Sequence, residues 1–337
     1  MQVVLGIDIG GTTTKIGLVD KAGNILGETV TPTPANTSGI SPEGFVLQLH
    51  DAIAALRSKL TEVCEVVSTG IGAPNGSYYK GTIEYAANLP WQHEVAPIAQ
   101  LFEKYYPGIP VKLTNDAKAA ALGEMIYGGA RGMRDFIVVT LGTGFGSGIV
   151  CGGALLYGSD SFAGELGHTI INPNGRHCGC GRRGCLETYV SATGLKQTAF
   201  EVMSARYFTE PSALKRLSFL DMTAKDIADA AAQGDSMALE VFDKTAQMLA
   251  LGLANAIAIT GPEAIFIYGG LAKSGDLLLA PTRKYLNEAA LKNFCKRDEK
   301  GNILREAKAQ VLLSELNDKN GALLGAAALA WEEMEKR

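Results

Sequence analysis

The sequence predicts an α/β protein with two related lobes. Short apolar runs typical of buried strands alternate with longer segments in which apolar residues recur at helical spacing. A strand, a Gly/Thr-rich turn and a second strand occur near the N-terminus, and the same plan recurs about 130 residues later. The length of 337 residues suits two domains better than one core. We therefore expect each lobe to offer one glycine-rich turn to a cleft.

Composition and charge narrow the class of protein. Hydrophobic residues make up 47% and charged residues 20% of the chain, as in ordinary globular proteins. The net charge of −4 argues against a nucleic-acid partner. The N-terminus lacks a basic segment before its first apolar run, and we find no run long enough to cross a bilayer. The sequence thus predicts a cytoplasmic protein without membrane or nucleic-acid partners.

The first strand, residues 3–9, contains Asp8 near its end. It leads into Gly10-Gly11-Thr12-Thr13-Thr14-Lys15, and a second strand begins at Ile16. Such a turn presents bare backbone N–H groups and hydroxyls, which can hold phosphate oxygens. Because a strand rather than a helix follows Lys15, this is not the nucleotide loop that precedes a helix. Taken alone, the turn is equally typical of an ordinary glycine hairpin.

The second copy of this plan covers residues 138–150. Its turn is Gly142-Thr143-Gly144, and a Gly-Gly turn and another strand follow. Leu141, near the end of the first strand of this copy, is not equivalent to Asp8, so the repeat is degenerate. Two such hairpins favour two phosphate-binding turns over two unrelated glycine turns.

The segment between the hairpins alternates helices and strands. We expect a helix after Ser41-Pro42, a strand over 66–71 that runs into Gly72, and an irregular stretch over 81–91 that contains Asn88. A second amphipathic helix, a short strand and a third helix follow. These last three elements are predicted around Val95 to Tyr105, at 111–113 and over 117–126.

Asp116 lies where a strand ends and a helix begins. The helix dipole favours the ionised carboxylate at this position. Asp is also a good N-cap, so a purely structural role remains open. If Asn115 and Asp116 instead face a cleft, they would position a hydroxyl nucleophile.

Cysteine and histidine cluster in one glycine-rich stretch, residues 165–187. Cys178, Cys180 and Cys185 are three of the six cysteines, and His168 lies ten residues before the first. Three sulfurs and one imidazole form a closed tetrahedral set for structural zinc. The alternative is three buried or disulfide-bonded cysteines beside a core histidine.

Two carboxylates bracket this stretch, Glu165 three residues before His168 and Glu187 two residues after Cys185. Each could be a solvated surface charge. If a metal folds the loop, both acids belong instead to the wall of a substrate site. The other cysteines are scattered, and we expect Cys64, Cys151 and Cys295 to be buried as small apolar residues.

The rest of the chain is mainly helical. Helices are predicted over 187–204, 222–233, 235–259 and 321–334, with a polar turn over 296–302 and a strand over 309–313. A buried strand over 265–268 ends at Gly269-Gly270. A glycine pair at the carboxyl end of a strand lets a flat ligand such as adenine approach the backbone.

Together these motifs resemble the ROK family, which holds sugar kinases and related repressors of the actin-like ATPase superfamily. Asp8–Lys15 resembles the first phosphate motif of the family, Leu141–Gly148 the second, and Gly269-Gly270 the adenosine motif. The stretch from Glu165 to Glu187 resembles the family signature, which is highly specific. The resemblance covers nearly the whole chain.

The resemblance implies a role for each motif. Asp116 matches the catalytic base, which would accept the proton of a hexose 6-hydroxyl group. The implied hexose-binding residues are Gly72, Asn88, Asn115, Asp116, Glu165, His168 and Glu187. The implied residues for ATP and Mg²⁺ are Asp8, Gly10, Gly11, Thr12, Thr13, Lys15, Gly142, Thr143, Gly144, Gly269 and Gly270. The implied ligands of a structural Zn²⁺ are His168, Cys178, Cys180 and Cys185.

The resemblance also implies a two-lobed actin-like fold of the ribonuclease H-like class, with a zinc-stapled loop at 165–187. We expect residues 1–116 with 321–337 to form the small lobe and residues 117–320 the large lobe. Relatives of this kind are commonly homodimers or homotetramers.

The leading functional hypothesis is ATP-dependent phosphorylation of glucose at its 6-hydroxyl group. The spacing of His168 and Cys178 and the run Asn88-Leu-Pro-Trp91 resemble glucokinases. Alternatives are a ROK kinase for N-acetylglucosamine, N-acetylmannosamine, mannose or fructose, and a non-catalytic sugar-sensing regulator. Such regulators carry a winged-helix domain before the first phosphate motif, and we expect none ahead of Asp8. Polyphosphate in place of ATP, and the role of the tyrosine-rich stretch at 77–85, remain open.

Overall fold

The computed structural model describes residues 1–60, 64–206, 210–291, 294, 296–298, 303–305, 309–317 and 320–335. Backbone contacts divide the chain into two compact units. The first unit comprises Met1–Met133, Gly148–Gly164 and Glu315–Arg337, and the second comprises Arg134–Ser147 and Glu165–Ser314. The N-terminal part thus includes residues 117–133 and 148–164 as well as the segments expected of the small lobe. The predicted lobe boundaries, after residues 116 and 320, stay a prediction.

The strands are short and fall into small sheets. In chain order the described strands are β1 (Gln2–Ile9), β2 (Thr13–Val19), β3 (Ile25–Pro32), β4 (Glu65–Ala73), β5 (Gly76–Ser77), β6 (Thr82–Glu84), β7 (Val95–Ala96), β8 (Val111–Asn115), β9 (Phe136–Leu141), β10 (Phe145–Cys151), β11 (Ala154–Leu155), β12 (Ala264–Tyr268), β13 (Lys296–Arg297), β14 (Ile303–Arg305) and β15 (Gln310–Leu313).

Single helices or groups of helices alternate with single strands or groups of strands along the chain. The described α-helices are α1 (Pro42–Arg57), α2 (Ile98–Tyr105), α3 (Asp116–Tyr127), α4 (Glu187–Val190), α5 (Ala192–Arg206), α6 (Ala224–Ala232), α7 (Ser236–Thr260), α8 (Asp276–Ala289) and α9 (Gly321–Glu335). Among them, none is long and apolar enough to cross a membrane. The alternation of strands and helices confirms the predicted α/β class.

The first unit contains a five-stranded sheet of order β3-β2-β1-β4-β8. β1 pairs antiparallel with β2 and parallel with β4, and β4 pairs parallel with β8. Asp8 is in register with Gly72, and Gly72 with Thr114. Because parallel strands end at the same edge of a sheet, Asp8, Gly72 and the β8–α3 junction share one edge.

Small residues let α9 pack closely within the first unit. A Cβ atom on Gly70 would collide with the carbonyl oxygen of Ala326, and one on Gly325 would collide with that of Ala119. Only glycine allows these approaches. The Ala-rich sequence of α9 therefore serves close contact with β4 and α3, as the apolar sequence of this helix suggests.

The second five-stranded sheet has the order β11-β10-β9-β12-β15. β12 pairs parallel with both β9 and β15. The chain passes from the second unit into the first within β10, after Ser147, and returns after Gly164. The two predicted hairpins are therefore β1–β2 in the first unit and the β9–β10 turn in the second.

Several element predictions need correction. The helix expected from Glu187 to about Ser204 is interrupted at Ser191, which separates α4 from α5. The second amphipathic helix begins at Ile98, after Pro97, so Val95 is in strand β7 instead. The stretch at 81–91 is not wholly irregular, since it contains β6. Cys151 is exposed rather than buried. Cys295 and residues 299–302 of the predicted turn lie outside the described residues.

Candidate active site

Asp116 is the first residue of α3 and directly follows β8. The N-cap of α3 is Asn115, whose Oδ1 accepts hydrogen bonds from the backbone N of Ala117 at 3.0 Å and of Lys118 at 3.3 Å. Asp116 Oδ1 also accepts a bond from Ala117 N, at 2.8 Å. The interpretation of Asp116 as a plain N-cap is therefore wrong. Asn115 closes the helix, and the Asp116 side chain is exposed to solvent.

The surroundings of Asp116 favour the proton-bound form. Its side chain has solvent-accessible surface, yet protein atoms crowd it, and this desolvation raises its pKa. The backbone hydrogen bond from Ala117 and the charge of Lys118 oppose the rise but do not cancel it. The backbone N–H groups of the helix N-terminus favour ionisation, as expected, but desolvation outweighs them, so the net shift of the Asp116 pKa is upward.

The charge of Asp116 affects the pKa of a second carboxylate, Asp8. Desolvation, and after it the negative charge of Asp116, raises the pKa of Asp8 to about 6, while Lys15 pulls it down. Two carboxylates that repel each other bind a cation or a proton to relieve the repulsion. The edge of the first sheet therefore has the chemistry of a cation site.

Gly72 lies directly under α3. A Cβ atom at Gly72 would lie 3.2 Å from Ala119 Cβ and 3.7 Å from Asp116 Cα. Such contacts are tight, so the glycine keeps room beneath the first turn of α3. The first unit thus brings together four predicted site residues: Asp8, Gly72, Asn115 and Asp116.

The first Gly/Thr turn is closed by a hydrogen bond from Gly10 N to Thr13 O of 3.0 Å. Its tip is exposed at Gly11 and Thr12. A Cβ atom on Gly11 would lie 3.2 Å from Asn88 Cβ, so Asn88 lies beside this turn. In the first unit, Asn88, a predicted hexose-binding residue, therefore lies next to the turn that is predicted to bind phosphate.

Lys15 has a partner that its sequence position does not reveal. Its Nζ donates to Asn320 Oδ1 at 3.4 Å, and Asn320 Nδ2 donates to Glu28 Oε2 at 2.6 Å. Asn320 directly precedes α9, so the sequence separates these groups by 305 residues.

In the second unit, the Gly142–Gly144 turn rests on two helix starts. Gly142 N donates to Gly144 O at 3.0 Å, and Ala192 N at the start of α5 donates to Gly142 O at 2.9 Å. Glu187 Oε2, at the start of α4, accepts from Phe145 N at 2.9 Å. A cavity of about 230 Å³ opens beside the turn. Its polar lining includes Thr143, Glu187, Thr188, Ser191, Thr193 and Gln197.

Glu165 and Gly269 approach the same part of the second unit from other segments. Leu166 N, directly after Glu165, donates to Ser147 Oγ of β10 at 3.2 Å, and the Glu165 side chain is exposed. Gly269 has a φ of +106°, and a Cβ atom there would lie 2.5 Å from Leu141 O. Only glycine fits this position, because the Leu141 backbone occupies the space that a side chain would need, and the adenine-binding role of Gly269 stays a prediction.

His168, Cys178, Cys180 and Cys185 come together, as the sequence predicts. Their candidate ligand atoms all lie within 4.8 Å of one another. The distance from Cys178 Sγ to His168 Nδ1 is 3.6 Å, and from Cys180 Sγ to Cys185 Sγ also 3.6 Å. A tetrahedral zinc ion with Zn–S bonds of about 2.3 Å places neighbouring sulfurs about 3.8 Å apart. The cluster therefore fits one tetrahedral metal ion, and no pair among these sulfurs is bonded as a disulfide.

Glu187 joins this cluster to the Gly142–Gly144 turn. Its Oε1 lies 3.8 Å from Cys178 Sγ, while its Oε2 binds the backbone of Phe145. His168 directs Nδ1 at the cysteine sulfur, so Nε2 is the ring nitrogen that could meet a ligand. Metal cluster, acid and turn thus form one connected assembly in the second unit.

Arg176 fastens the cysteine loop to the helices, and sequence reasoning missed it. Its Nη1 donates to the carbonyl oxygens of Thr188 at 2.6 Å and of Gly194 at 3.1 Å. Its guanidinium lies 4.6 Å from the Tyr189 ring centroid and pairs with Glu201. Nothing in the local run Asn-Gly-Arg-His indicates this role, because all partners lie 12 or more residues away.

The site residues therefore form two sets, one in each unit. The first contains Asp8, the Gly10–Lys15 turn, Gly72, Asn88, Asn115 and Asp116. The second contains the Gly142–Gly144 turn, Glu165, the metal cluster, Glu187, Gly269 and Gly270.

Comparison with known proteins identifies relatives over nearly the full length. The family model described as "ROK family" matches residues 4–333. A glucokinase of Streptomyces coelicolor is 37% identical over 98% of both chains. A xylose repressor of Caldicellulosiruptor bescii is 30% identical, over 85% of this chain and 70% of its own.

A solved structure extends this similarity to the fold. It is a ROK family glucokinase from Streptomyces griseus in complex with glucose and AMPPNP, which is 35% identical to this chain. The two superpose with a TM-score of 0.77 over 98% of this chain and 99% of the other.

Proposed function

Because the chain belongs to the ROK family, we propose that it transfers the γ-phosphoryl group of ATP to the 6-hydroxyl group of glucose. The glucokinase relatives match it over nearly their whole length. The similar structure from Streptomyces griseus was solved with glucose and the ATP analogue AMPPNP. Both observations support an ATP-dependent hexokinase of glucokinase type.

The position of Asp116 carries the mechanism. Asn115 supplies the helix cap, so the Asp116 carboxylate is available for chemistry and remains accessible to a ligand. A carboxylate with a raised pKa accepts a proton more readily than an ordinary aspartate. Asp116 would act as general base and take the proton from the attacking 6-hydroxyl group.

The hexose would be held by short polar side chains and one glycine. Asn, Glu and His side chains donate to and accept from sugar hydroxyls, and Gly72 leaves room beneath the ring. Asn115 uses Oδ1 for the helix, so its amide NH₂ is the group that would reach the sugar. The proposed hexose residues are Gly72, Asn88, Asn115, Asp116, Glu165, His168 and Glu187.

The nucleotide would bind through the two glycine turns and the Gly269-Gly270 pair. Phosphoryl transfer depends on positioning and on charge neutralisation more than on covalent help. A bound Mg²⁺ would neutralise phosphate charge. Asp8 would orient water molecules around it, and the electrostatic influence of Asp116 on Asp8 supports a cation at this edge of the first sheet.

The cysteine cluster would hold a structural Zn²⁺ through His168, Cys178, Cys180 and Cys185. With four protein ligands the ion has no open position for water, so it orders the loop between Glu165 and Glu187. Glu187, at the end of this loop, accepts the hydrogen bond from Phe145 N, and the ordered loop would hold it there. We therefore expect metal binding and hexose binding to be coupled.

The actin-like fold and assembly belong to the same proposal. The similarity to a ROK family glucokinase structure supports the proposed two-lobed actin-like fold. ATP as donor supports a cytoplasmic protein. A homodimer or homotetramer stays a prediction that sedimentation velocity would measure.

A coupled kinase assay tests the function. It compares glucose, N-acetylglucosamine, N-acetylmannosamine, mannose and fructose as acceptors, and ATP and polyphosphate as donors. We expect the largest kcat/KM for glucose with ATP. The similarity to a xylose repressor raises a second candidate, a sugar-sensing regulator. Sugar binding without ADP release would favour the regulator.

A further inference from the structure

Two buried serine hydroxyls that are not among the residues assigned above meet in the first unit. Ser77 Oγ and Ser161 Oγ lie 3.3 Å apart, and the backbone N of Tyr79 donates to Ser161 Oγ at 3.1 Å. Ser77 is 0% and Ser161 1% exposed. Buried hydroxyls contribute through such bonds, and leaving one unsatisfied is costly.

Ser161 also has an unusual backbone. Its φ is +76°, in the left-handed region that residues other than glycine rarely adopt. Glycine would adopt this conformation without strain, but it would lack the hydroxyl group. A strained conformation persists where surrounding contacts fix it, and it is a reason to look for a functional constraint. The hydrogen bonds of Ser161 Oγ to Ser77 and Tyr79 are contacts that glycine at this position could not make.

An aromatic contact reinforces the same connection. The ring of Tyr157, four residues before Ser161, stacks on Tyr78 with centroids 4.0 Å apart and an interplanar angle of 15°. Ala163 N donates to Tyr157 O at 3.1 Å, which folds the segment back on itself. The segment 157–163 is thus held to the 77–79 stretch on both sides of Ser161.

Both Ser77 and Ser161 lie close, in the fold or along the chain, to proposed hexose-binding residues. Ser77 is in β5, and Gly76 beside it packs so closely on β8 that a Cβ atom would collide with Thr114 O. Thr114 directly precedes Asn115 and Asp116. At the other end, the chain leaves the first unit after Gly164 and continues with Glu165.

We propose that Ser161 is a positioning residue for hexose binding, and that its bonds to Ser77 and Tyr79 tie the chain entering Glu165 to the strand that carries Asn115 and Asp116. This Ser77–Ser161 latch makes no contact with a glycine turn of the nucleotide site among the contacts described. It therefore affects the hexose and leaves ATP binding unchanged. The proposal rests on the proposed hexokinase function and deepens it.

Two substitutions at one position separate the hydroxyl from the strain. Ser161→Gly removes the hydroxyl group and the backbone strain together, whereas Ser161→Ala removes the hydroxyl group alone. Loss of the buried hydrogen bonds should raise the KM for glucose roughly five- to tenfold in both variants. The KM for ATP should stay within about twofold in both. Ser161→Gly should lose less stability than Ser161→Ala, because both variants lose the same hydrogen bonds and only glycine tolerates the positive φ without strain.

A partner variant and a matched control complete the test. Ser77→Ala should raise the glucose KM less than Ser161→Ala, because the bond from Tyr79 N remains. In the double variant Ser77→Ala should add almost nothing, since both hydroxyls act in one contact. Ser159→Ala changes an exposed serine of the same segment and should leave both KM values unchanged.

A normal glucose KM in Ser161→Gly would overturn the proposal, as would an equal rise of both KM values or additive effects in the double variant. Calorimetric glucose binding is measured in parallel. If the wild-type chain phosphorylates no hexose, the proposed function fails, yet weaker glucose binding by Ser161→Gly would still support the latch.

Discussion

At the β8–α3 junction, two adjacent side chains have different roles, although a single aspartate could cap the helix or act as a base. Asn115 accepts the backbone N–H groups of the first helical turn, and Asp116 remains accessible to a ligand. Sequence alone leaves this choice open, because Asn and Asp cap helices about equally well. The hydrogen-bond geometry decides it, and it makes substitution at the two positions predict different outcomes.

Asp116→Asn should remove the proton acceptor while it keeps the shape of the side chain. We expect turnover to fall by at least ~10²-fold, the usual scale for one acid–base group. Glucose should still bind within roughly tenfold of wild type, because the amide retains hydrogen-bonding capacity. Steady-state ADP release and calorimetric glucose binding measure the two effects.

Asn115→Ala is the contrasting variant. It removes the helix cap and should cost about 1 kcal/mol of stability, whereas Asp116→Asn should cost none. Near-normal turnover in Asp116→Asn would eliminate the proposed base.

The raised pKa of Asp8 predicts a pH-dependent stability of the ligand-free chain. An aspartate whose pKa rises from 3.8 to about 6 on folding holds a proton that the unfolded chain releases. The contribution of Asp8 to the free energy of unfolding is therefore fully present below about pH 4, and it is lost as the pH rises through about 6. The loss should be on the order of 1–3 kcal/mol, since Asp8 is partly screened by solvent.

Asp8→Asn isolates this contribution from those of other titrating groups. The difference in unfolding free energy between variant and wild type should favour the variant increasingly from pH 4 to pH 7. Denaturant titrations at several pH values, without Mg²⁺ or nucleotide, measure it. A difference that stays constant over this range would mean that folding does not raise the pKa of Asp8.

At the scale of elements, we expect the cysteine loop to depend on a bound metal ion for its order. Removal of zinc should lower the melting temperature and the glucose affinity together, because the same loop carries Glu165 and Glu187. Elemental analysis should find about one zinc ion per chain. Cys180→Ser should reproduce both losses, and Cys151→Ser, which changes an exposed cysteine outside the cluster, should show neither. A pure and active sample without zinc would rule out this role.

Arg176 gives the same loop a second attachment. Its charged partner Glu201 has a side chain that is 62% exposed, so this ion pair contributes at most about 1 kcal/mol. The bonds to the carbonyl oxygens of Thr188 and Gly194 are better shielded and need the planar guanidinium. Arg176→Lys should therefore lower the free energy of unfolding by about 1–3 kcal/mol.

Glu201→Gln is the control for Arg176→Lys, and its cost should stay below about 1 kcal/mol. Denaturant unfolding of both variants compares them. Equal costs would assign the effect to the ion pair instead of the carbonyl bonds.

The elements themselves show which parts of the fold were predictable. Helical periodicity and N-caps predicted α1, α3 and α7 to within one residue or a few, because their signals are local. Ser191 breaks the predicted helix after Glu187, since Ala192 N bonds to Gly142 O instead of continuing the helix. That bond joins segments about 50 residues apart, and no local pattern reports it. The strand β5 was missed because it is only two residues long and its antiparallel pairing with β6 defines it.

Some features of the candidate site were likewise predictable from the sequence, and others were not. The Cys/His cluster and both glycine turns were predictable, because residue type and spacing specify them. The cap role of Asn115 and the anchors Arg176, Ser77 and Ser161 were not, because distant backbone and hydroxyl groups define them. The net rise in the pKa of Asp116 was not predictable, since crowding by other segments cannot be read from its neighbours along the chain.

For the whole molecule, the division of site residues between two units leads to the last prediction. If one glucose molecule contacts both sets, its binding energy must stabilise both units, and amide hydrogen exchange should slow in each. At a glucose concentration about 100 times Kd, opening that releases the ligand should become roughly 100-fold rarer. Protection is expected at the start of α3 in the first unit and around Leu166–His168 in the second.

AMPPNP alone provides the comparison for this experiment. The nucleotide should protect the Gly10–Thr12 and Gly142–Gly144 turns more than glucose does, because the phosphates are proposed to bind there. Glucose protection confined to one unit would contradict a hexose site that both units build, even if the chain phosphorylates glucose. Protection in both units that disappears in Asp116→Asn would show that this carboxylate is needed for binding, and the base mechanism would then require revision.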